Sequence, residues 1–378
     1  MKKRLFSIVL TLCMVISLMP GFTPAAGAAV TVWDGSISTF LTVVDITAPY
    51  NKDTNPLAIS SSADLAYLTE QVFAAANLVT YTDSTGAGKT TAARAAGYKL
   101  TADIVLNTWA DDGDGVVESA ELKNNAGAAA RAWRPIGTNG KAFTGVFDGG
   151  GHTVSGIYCN GGNYRGFFGW IDTPATVKNV GVEDSYIAGT SGIGGVVGYS
   201  SGTATVQNCY NTGSVNGSAD PGYIGGVVGY LVRGTVVNCY NTGSVTGSST
   251  VGGVVGYGSD ATTQIQYCYN TGSITGSSNK IGGVVGESNG AVKYCYNAGV
   301  VSGVSYTGGV AGTMAGAIEN CYNKGSVTGS GSGNGYVGGV AGSAGTIKFC
   351  YNSGSVTAPA AAEATTPAAR RRASRLRK

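Results

Sequence analysis

From residue 192 to residue 357, apolar positions come in short bursts separated by Gly, Ser, Thr and Asn. The bursts do not follow the 3.6-residue period of a helix; they have the length and composition of short strands. They also recur. A unit of about 26 to 31 residues appears six times, marked by three landmarks. The first is a Gly-Gly-Val core, from Gly194-Gly195-Val196 to Gly338-Gly339-Val340. The second is Cys-Tyr-Asn, with thiols at Cys209, Cys239, Cys268, Cys295, Cys321 and Cys350. The third is a Gly-Ser-Val element ending between Val215 and Val356. Self-similarity at a fixed period is the mark of a solenoid.

Each unit holds three β-prone pieces, for example 224–230, 235–240 and 243–246. Three short strands with corners describe one coil of a parallel β-helix. A single coil cannot bury its apolar side chains, whereas stacked coils, with strands about 4.8 Å apart, can. The expected fold is mainly β: a right-handed parallel β-helix of nine or ten coils with an N-terminal helical cap, the handedness following from crossover chirality. Three residues before each Cys stands Val206, Val236, Ile265, Val292, Ile318 or Ile347, an inward row. The following position is mostly polar and faces out. The six repeat cysteines are expected inside, and Tyr210, Tyr240, Tyr269, Tyr296, Tyr322 and Tyr351 outside. Strict alternation would put Cys on the wrong face, so a bend at Asn208, Asn238, Tyr267, Tyr294, Asn320 and Phe349 must reset the phase. The exposed surface of the stack is then Ser, Thr, Asn and Tyr.

Around the repeats the pattern changes. Residues 1–28 combine Lys2-Lys3-Arg4, an apolar run from Leu5 to Leu18 and an Ala26-Gly27-Ala28 site; they read as a secretory signal peptide, too short to span a membrane. Residues 29–132 form a capping region. Within it a helix over 62–76 has Ser61 or Ser62 as cap and Leu65, Leu68, Val72 and Phe73 on one face. Residues 84–91, STGAGKTT, suggest a phosphate loop, but Asp83 stands where its first Gly is needed, so a flexible Gly/Thr loop is expected. Residues 98–106 read as one strand. An acidic insertion, 107–131, follows. Laid on the twelve-residue calcium loop, Asp112, Asp114, Glu118 and Glu121 fill positions three, five, nine and twelve, with Val117 at the apolar position eight. Ala110 stands where the first carboxylate belongs, which leaves a solvated acidic loop as the other reading. The β-helix proper runs over 133–357, with Trp133, Phe143, Phe147 and Tyr158 filling its first coils and 164–189 as a degenerate first repeat. His152, the one histidine, is read as structural. Residues 358–378 form an Ala/Pro/Thr linker and a basic tail, an arm for envelope or protein or an end left by truncation.

The combination GGVVG…NCYNTGSVTG resembles the GLUG-type repeats of secreted bacterial surface proteins and, more distantly, the β-helical shafts of filamentous haemagglutinin-like adhesins. The lead-in Trp133-Arg134-Pro135-Ile136-Gly137, followed by FTGVFDGGGHTVSGIY at 143–158, resembles what precedes such repeats. The resemblance covers roughly residues 60 to 357. It implies a fold and a surface setting; such repeats serve many different proteins, so it implies no one function.

Charge narrows the functions. Three basic residues near the start and six near the end account for nine of 24 Lys+Arg; the remaining 15 face 21 acids, about −6. The folded body is therefore not a nucleic-acid binder. From 191 to 357 the acids are Asp220, Asp260, Glu287 and Glu319, scattered over separate corners and strands. Two carboxylates facing one glycosidic bond are not evident. GYSSG (198–202) and GESNG (286–290) match the GxSxG string but lack a strand–elbow–helix context. No HExxH or CxxC zinc site is present. The repeat thiols are expected free and buried, as small apolar fillers, with occasional vertical disulfides between neighbouring coils as the alternative. The expected function is a non-enzymatic, exported repeat protein, an adhesin-like binding module or structural shaft. Its expected partners are host or bacterial surface glycans or matrix protein, met by the six tyrosines. The alternatives are a polysaccharide-active β-helix enzyme, with carboxylates gathered near 107–121, and a carbohydrate-binding module. No cofactor beyond possible calcium is implied.

Overall fold

Each repeat folds into one coil whose strands pair in parallel with those of the next coil. In the coil from Ile224, the strands are Ile224–Gly225, Val228–Val237, Tyr240–Asn241 and Val245–Gly247. They pair with the following repeat at Ile224↔Val251, Val236↔Ile265, Tyr240↔Tyr269 and Val245↔Ile274. Four strand positions per coil replace the three expected. The paired glycines split the first piece, and Val228–Val237 runs on through the polar stretch that looked like a corner. The computed structural model describes residues 31–110, 112–114, 116–124, 127–331 and 336–359. The expected signal peptide (1–28) and the basic end of the tail (370–378) lie outside the described residues.

The strands build sheets of sixteen, nine, eight and six strands along the stack. The eight-stranded sheet runs from Tyr158–Cys159 to Val356–Thr357, about seven turns. That is fewer than the nine or ten expected, because 97–105 supplies only a partial coil. The expected strand 98–106 is two strands, Gly97–Leu100 and Ile104–Val105, in different sheets. Thr101, Ala102 and Asp103 turn the corner between them.

The inward rows are fully buried through the stack: Val206, Val236, Ile265, Val292 and Ile318 are 0% exposed, and only Ile347, in the last coil, reaches 48%. The repeat cysteines are inside as well, with Cys350 partly exposed at the same end. The phase reset has a backbone cause. Asn208, Asn238, Tyr267, Tyr294, Asn320 and Phe349 all have φ between +52° and +55°. One left-handed residue turns the chain, so that the position three before Cys and Cys itself both point inward. Asn adopts this conformation more readily than an aromatic residue does.

The second glycine of each pair marks a close approach. A Cβ on Gly253 would lie 2.1 Å from the Gly283 carbonyl and 2.5 Å from Asn270 Cγ. The repeat therefore needs Gly there to admit the Asn of Cys-Tyr-Asn into the interior.

At the N-terminal side large rings replace Val and Cys. Tyr98, Phe143, Phe147, Phe167 and Phe168 are fully buried, and their rings pack at 4.9–6.2 Å. Trp133 joins this cluster, whereas Tyr158 is only half-buried and stacks on Tyr186 outside it. The helix spans Ser62–Phe73, three residues shorter than expected. Ser61 caps it by accepting from Asp64 N, and Leu65, Leu68 and Val72 are buried against strands Leu57–Ile59 and Leu78–Asp83. Residues 84–91 are not a flexible loop: Gly86–Ala92 is a strand in an antiparallel hairpin with Leu78–Asp83, and Lys89 pairs with Asp83 at 3.5 Å.

Candidate functional site

The Cys-Tyr-Asn triplets build one face of the stack. Their Tyr-Asn pairs are two-residue strands in the nine-stranded sheet, paired Tyr on Tyr and Asn on Asn. This in-register pairing stacks Tyr210, Tyr240, Tyr269, Tyr296, Tyr322 and Tyr351 into one column, with ring centroids 4.8–5.1 Å apart and planes within 2–6°. The column starts where the degenerate repeat has Gly181 in place of Tyr. The Tyr210 ring lies over that glycine, and its hydroxyl donates to Glu183 at 2.6 Å. Tyr210 is thereby buried, Tyr240 to Tyr322 are half-buried, and Tyr351 is 54% exposed. Burial pushes the Tyr240, Tyr269 and Tyr296 hydroxyls up to about 12. Tyr210 is raised further, first by burial and then by Glu183. Parallel stacking covers the ring faces, so this column offers a partner its ring edges.

Directly behind the tyrosines runs a column of asparagines that the sequence reading placed on the surface. Asn211, Asn241, Asn270, Asn297 and Asn323 are 0% exposed. Each Nδ2 donates to the carbonyl two residues on and to the next Asn Oδ1, at 2.7–2.9 Å. Burying an amide is costly unless it is hydrogen-bonded, and the ladder supplies those bonds. At its N-terminal end Asn211 faces Val182, and Asn211 Oδ1 has no hydrogen-bond partner among the described residues. The signal for this row was present: Asn follows Cys-Tyr in all six repeats, and two positions from a buried Cys on a strand is again inside. The thiols form a third column. All seven described cysteines are free, and four backbone N–H groups donate to the thiol one coil on, at 3.3–3.5 Å. Burial pushes the Cys239 and Cys295 thiols well up, and Cys159 to about 12.

The acidic insertion is closed at its base by the antiparallel pair Thr108–Trp109 and Leu122–Lys123. Glu121 organises it. Its carboxylate accepts from Trp109 Nε1 at 3.0 Å, Asp112 N at 2.9 Å and Glu118 N at 3.0 Å. Those bonds, the indole's first, hold it below the usual carboxylate range. Asp112 accepts from Asp114 N and Asp114 from Val116 N. Val117 is buried. Among the described residues no three acidic, His or Cys side chains form a group able to hold a metal ion. The four carboxylates share one loop, and those of Asp112, Asp114 and Glu121 accept from its own backbone.

His152 Nδ1 lies 3.2 Å from Asp103 Oδ1, which also accepts from Thr153 N. The pair ties the lead-in strand Thr153–Ser155 to the corner before Ile104. Ser200 and Ser288, the central residues of the two GxSxG strings, are 0% exposed, so neither hydroxyl meets a substrate.

The sequence reading passed over a second aromatic row. Trp170, Tyr199, Tyr230 and Tyr257 pair in register on the outside of the sixteen-stranded sheet. The signal was an aromatic residue after Phe-Phe-Gly and after the first three of the four Gly-Val-Val-Gly strings, which alternation places outward.

The GLUG motif matches residues 189–216 and 220–246, and the chain carries GLUG-type repeats. Halomucin of Haloquadratum walsbyi is 30% identical over 213 residues, 54% of this chain and 2% of halomucin. A protein of Evansella cellulosilytica, provisionally described as a Gly-rich membrane protein, is 30% identical over 92 residues, 24% of this chain and 9% of that one. The chain thus spans a small fraction of these relatives. Among solved structures, a Bacteroides ovatus protein provisionally assigned as an immunoglobulin A1 protease aligns with a TM-score of 0.44 and 20% identity, over 83% of this chain and 82% of that one. Among the described residues no helix is long and apolar enough to cross a membrane.

Proposed function

We propose that the chain is a non-enzymatic repeat protein, secreted or held at a bacterial cell surface, that contacts surface glycans or matrix protein through its tyrosine column. The observation that carries this reading is the column itself: six aromatic side chains aligned in register along one face of the stack. Tyr offers a large area with a polar tip, and a repeated site gains avidity without a strong single site. The likeness to halomucin and the GLUG-type repeats support a surface setting. Burial of Ser200 and Ser288, and the scarcity of acids in the repeats, favour binding over catalysis. The proposal includes a right-handed winding, from the usual crossover chirality. It also gives the helix Ser62–Phe73, which packs against strands Leu57–Ile59 and Leu78–Asp83, the task of closing the N-terminal end of the stack.

The test is a binding screen of the full chain against whole cells, glycans and matrix proteins, with turnover of each polysaccharide and protein followed in parallel. Saturable binding without turnover supports the reading; turnover favours the polysaccharide-active alternative. For the acidic loop we propose calcium as a stabilising ion that draws Asp112, Asp114, Glu118 and Glu121 together. Its test is the melting temperature with and without calcium.

A further inference from the structure

The two aromatic columns differ in a way that decides what each can bind. In the Tyr240 column parallel rings cover one another's faces. In the Trp170 row the rings are tilted at the N-terminal end, Trp170–Tyr199 at 40° and Tyr199–Tyr230 at 80°, and closer to parallel at Tyr230–Tyr257, at 28°, with centroids 4.0–5.1 Å apart. Tyr164 stands edge-on to both Trp170 and Tyr199. Tyr223 packs beside Tyr230 and Tyr257. Tilting leaves parts of the ring faces open, and all six side chains are half-buried, anchored on one side and wet on the other. The row then ends: the next coils put Glu287, Thr313 and Ser343 at the same position.

At its other end the row opens into a cleft of about 520 Å³. Trp170 lines it, with Arg94 and Asp172 as its charged groups and Asn77, Asn139 and Ser201 among its polar ones. Trp170 Nε1 is held by Ser201 Oγ at 2.8 Å, which fixes the ring. Arg94 Nε is buried and has no hydrogen-bond partner among the described residues. One cation and one anion leave the cleft without net charge.

We propose that this cleft and the row beyond it bind a neutral oligosaccharide. A pyranose ring has an apolar C–H face and a rim of hydroxyls. The first suits the Trp170 and Tyr199 ring faces, and the second suits Arg94, Asp172 and the amides. Four aromatic rungs span about 14 Å at ~4.8 Å per coil, the reach of several sugar rings rather than one. Absence of an excess positive charge argues against an acidic polysaccharide. This site is separate from the Tyr240 column and does not depend on it.

The test is calorimetric titration of the full chain with cellohexaose, mannohexaose, xylohexaose and chitohexaose. At least one is expected to bind, and Trp170→Ala is expected to weaken it about tenfold or more, the loss of one well-placed aromatic contact. Asn139 is exposed on a turn, so Asn139→Trp plugs the cleft without touching the core and is expected to abolish binding. Thr328→Ala, at an exposed position of the eight-stranded sheet, is expected to leave it unchanged. No binding of any of the four sugars, or binding that survives Asn139→Trp, overturns the proposal.

Discussion

At Asn270 the amide donates to Gly272 O and Asn297 Oδ1, at 2.8 Å each, while Oδ1 accepts from Asn241. Asn270→Ala leaves those partners buried without it. A cost of about 1–3 kcal/mol for each group left unsatisfied is expected, read by chemical denaturation. Gly253→Ala is expected to be worse tolerated than Ala at any exposed Ser of the same coil, because its Cβ meets backbone at 2.1 Å. The tyrosines give a pH signature. Burial raises Tyr240, Tyr269 and Tyr296 from 10.0 to about 12, so the fold favours their neutral form. That contribution is complete below pH 10 and is lost as pH rises through 12. Absorbance titration should show these phenols ionising near 12, with Tyr210 later still, and stability falling over the same window; ionisation of all tyrosines near 10 contradicts the packing. At this scale the sequence revealed the inward Val and Cys rows and the bend before each Cys, since alternation alone demands them. It hid the asparagine ladder, because a polar residue reads as exposed until its partner one coil away is known.

The elements were legible where their signals are local. The helix start followed from Ser61, and its end came early because nothing in the sequence marks Ala74, whose ψ of 149° leaves the helix. The hairpin at 86–92 was missed because Gly and Thr in sequence look like a loop, while pairing with Leu78–Asp83 supplies the order. In the acidic insertion the spacing of the carboxylates was legible and their use was not: Glu121 turns toward Trp109 and two backbone N–H groups. If calcium binds there, it must draw Glu121 from these donors, and a ligand of the folded state raises the melting temperature. An unchanged melting temperature at millimolar calcium contradicts that proposal. The thiol column predicts its own result. Buried cysteines held between coils are expected to react with a polar thiol reagent only on unfolding, apart from the partly exposed Cys350.

Across the whole molecule the period was the strongest signal, since each coil must present the same rows for strands to pair in register. Coil number was overestimated because the N-terminal stretch 97–105 contributes strands to only two of the four positions of a coil. Function was the least legible level: a stack of neutral polar rows states a shape and leaves its partner to the few aromatic columns that reach the surface. The tyrosine column is the central claim, and one measurement addresses it directly. The full chain and a variant with Tyr240, Tyr269 and Tyr296 all changed to Ser are compared for binding to whole cells, surface glycans and matrix proteins, with circular dichroism confirming that both are folded. The account predicts saturable binding by the first and a loss of about tenfold or more in the second, because linked weak contacts fail together. Equal binding by the two folded proteins, or none by either, contradicts it.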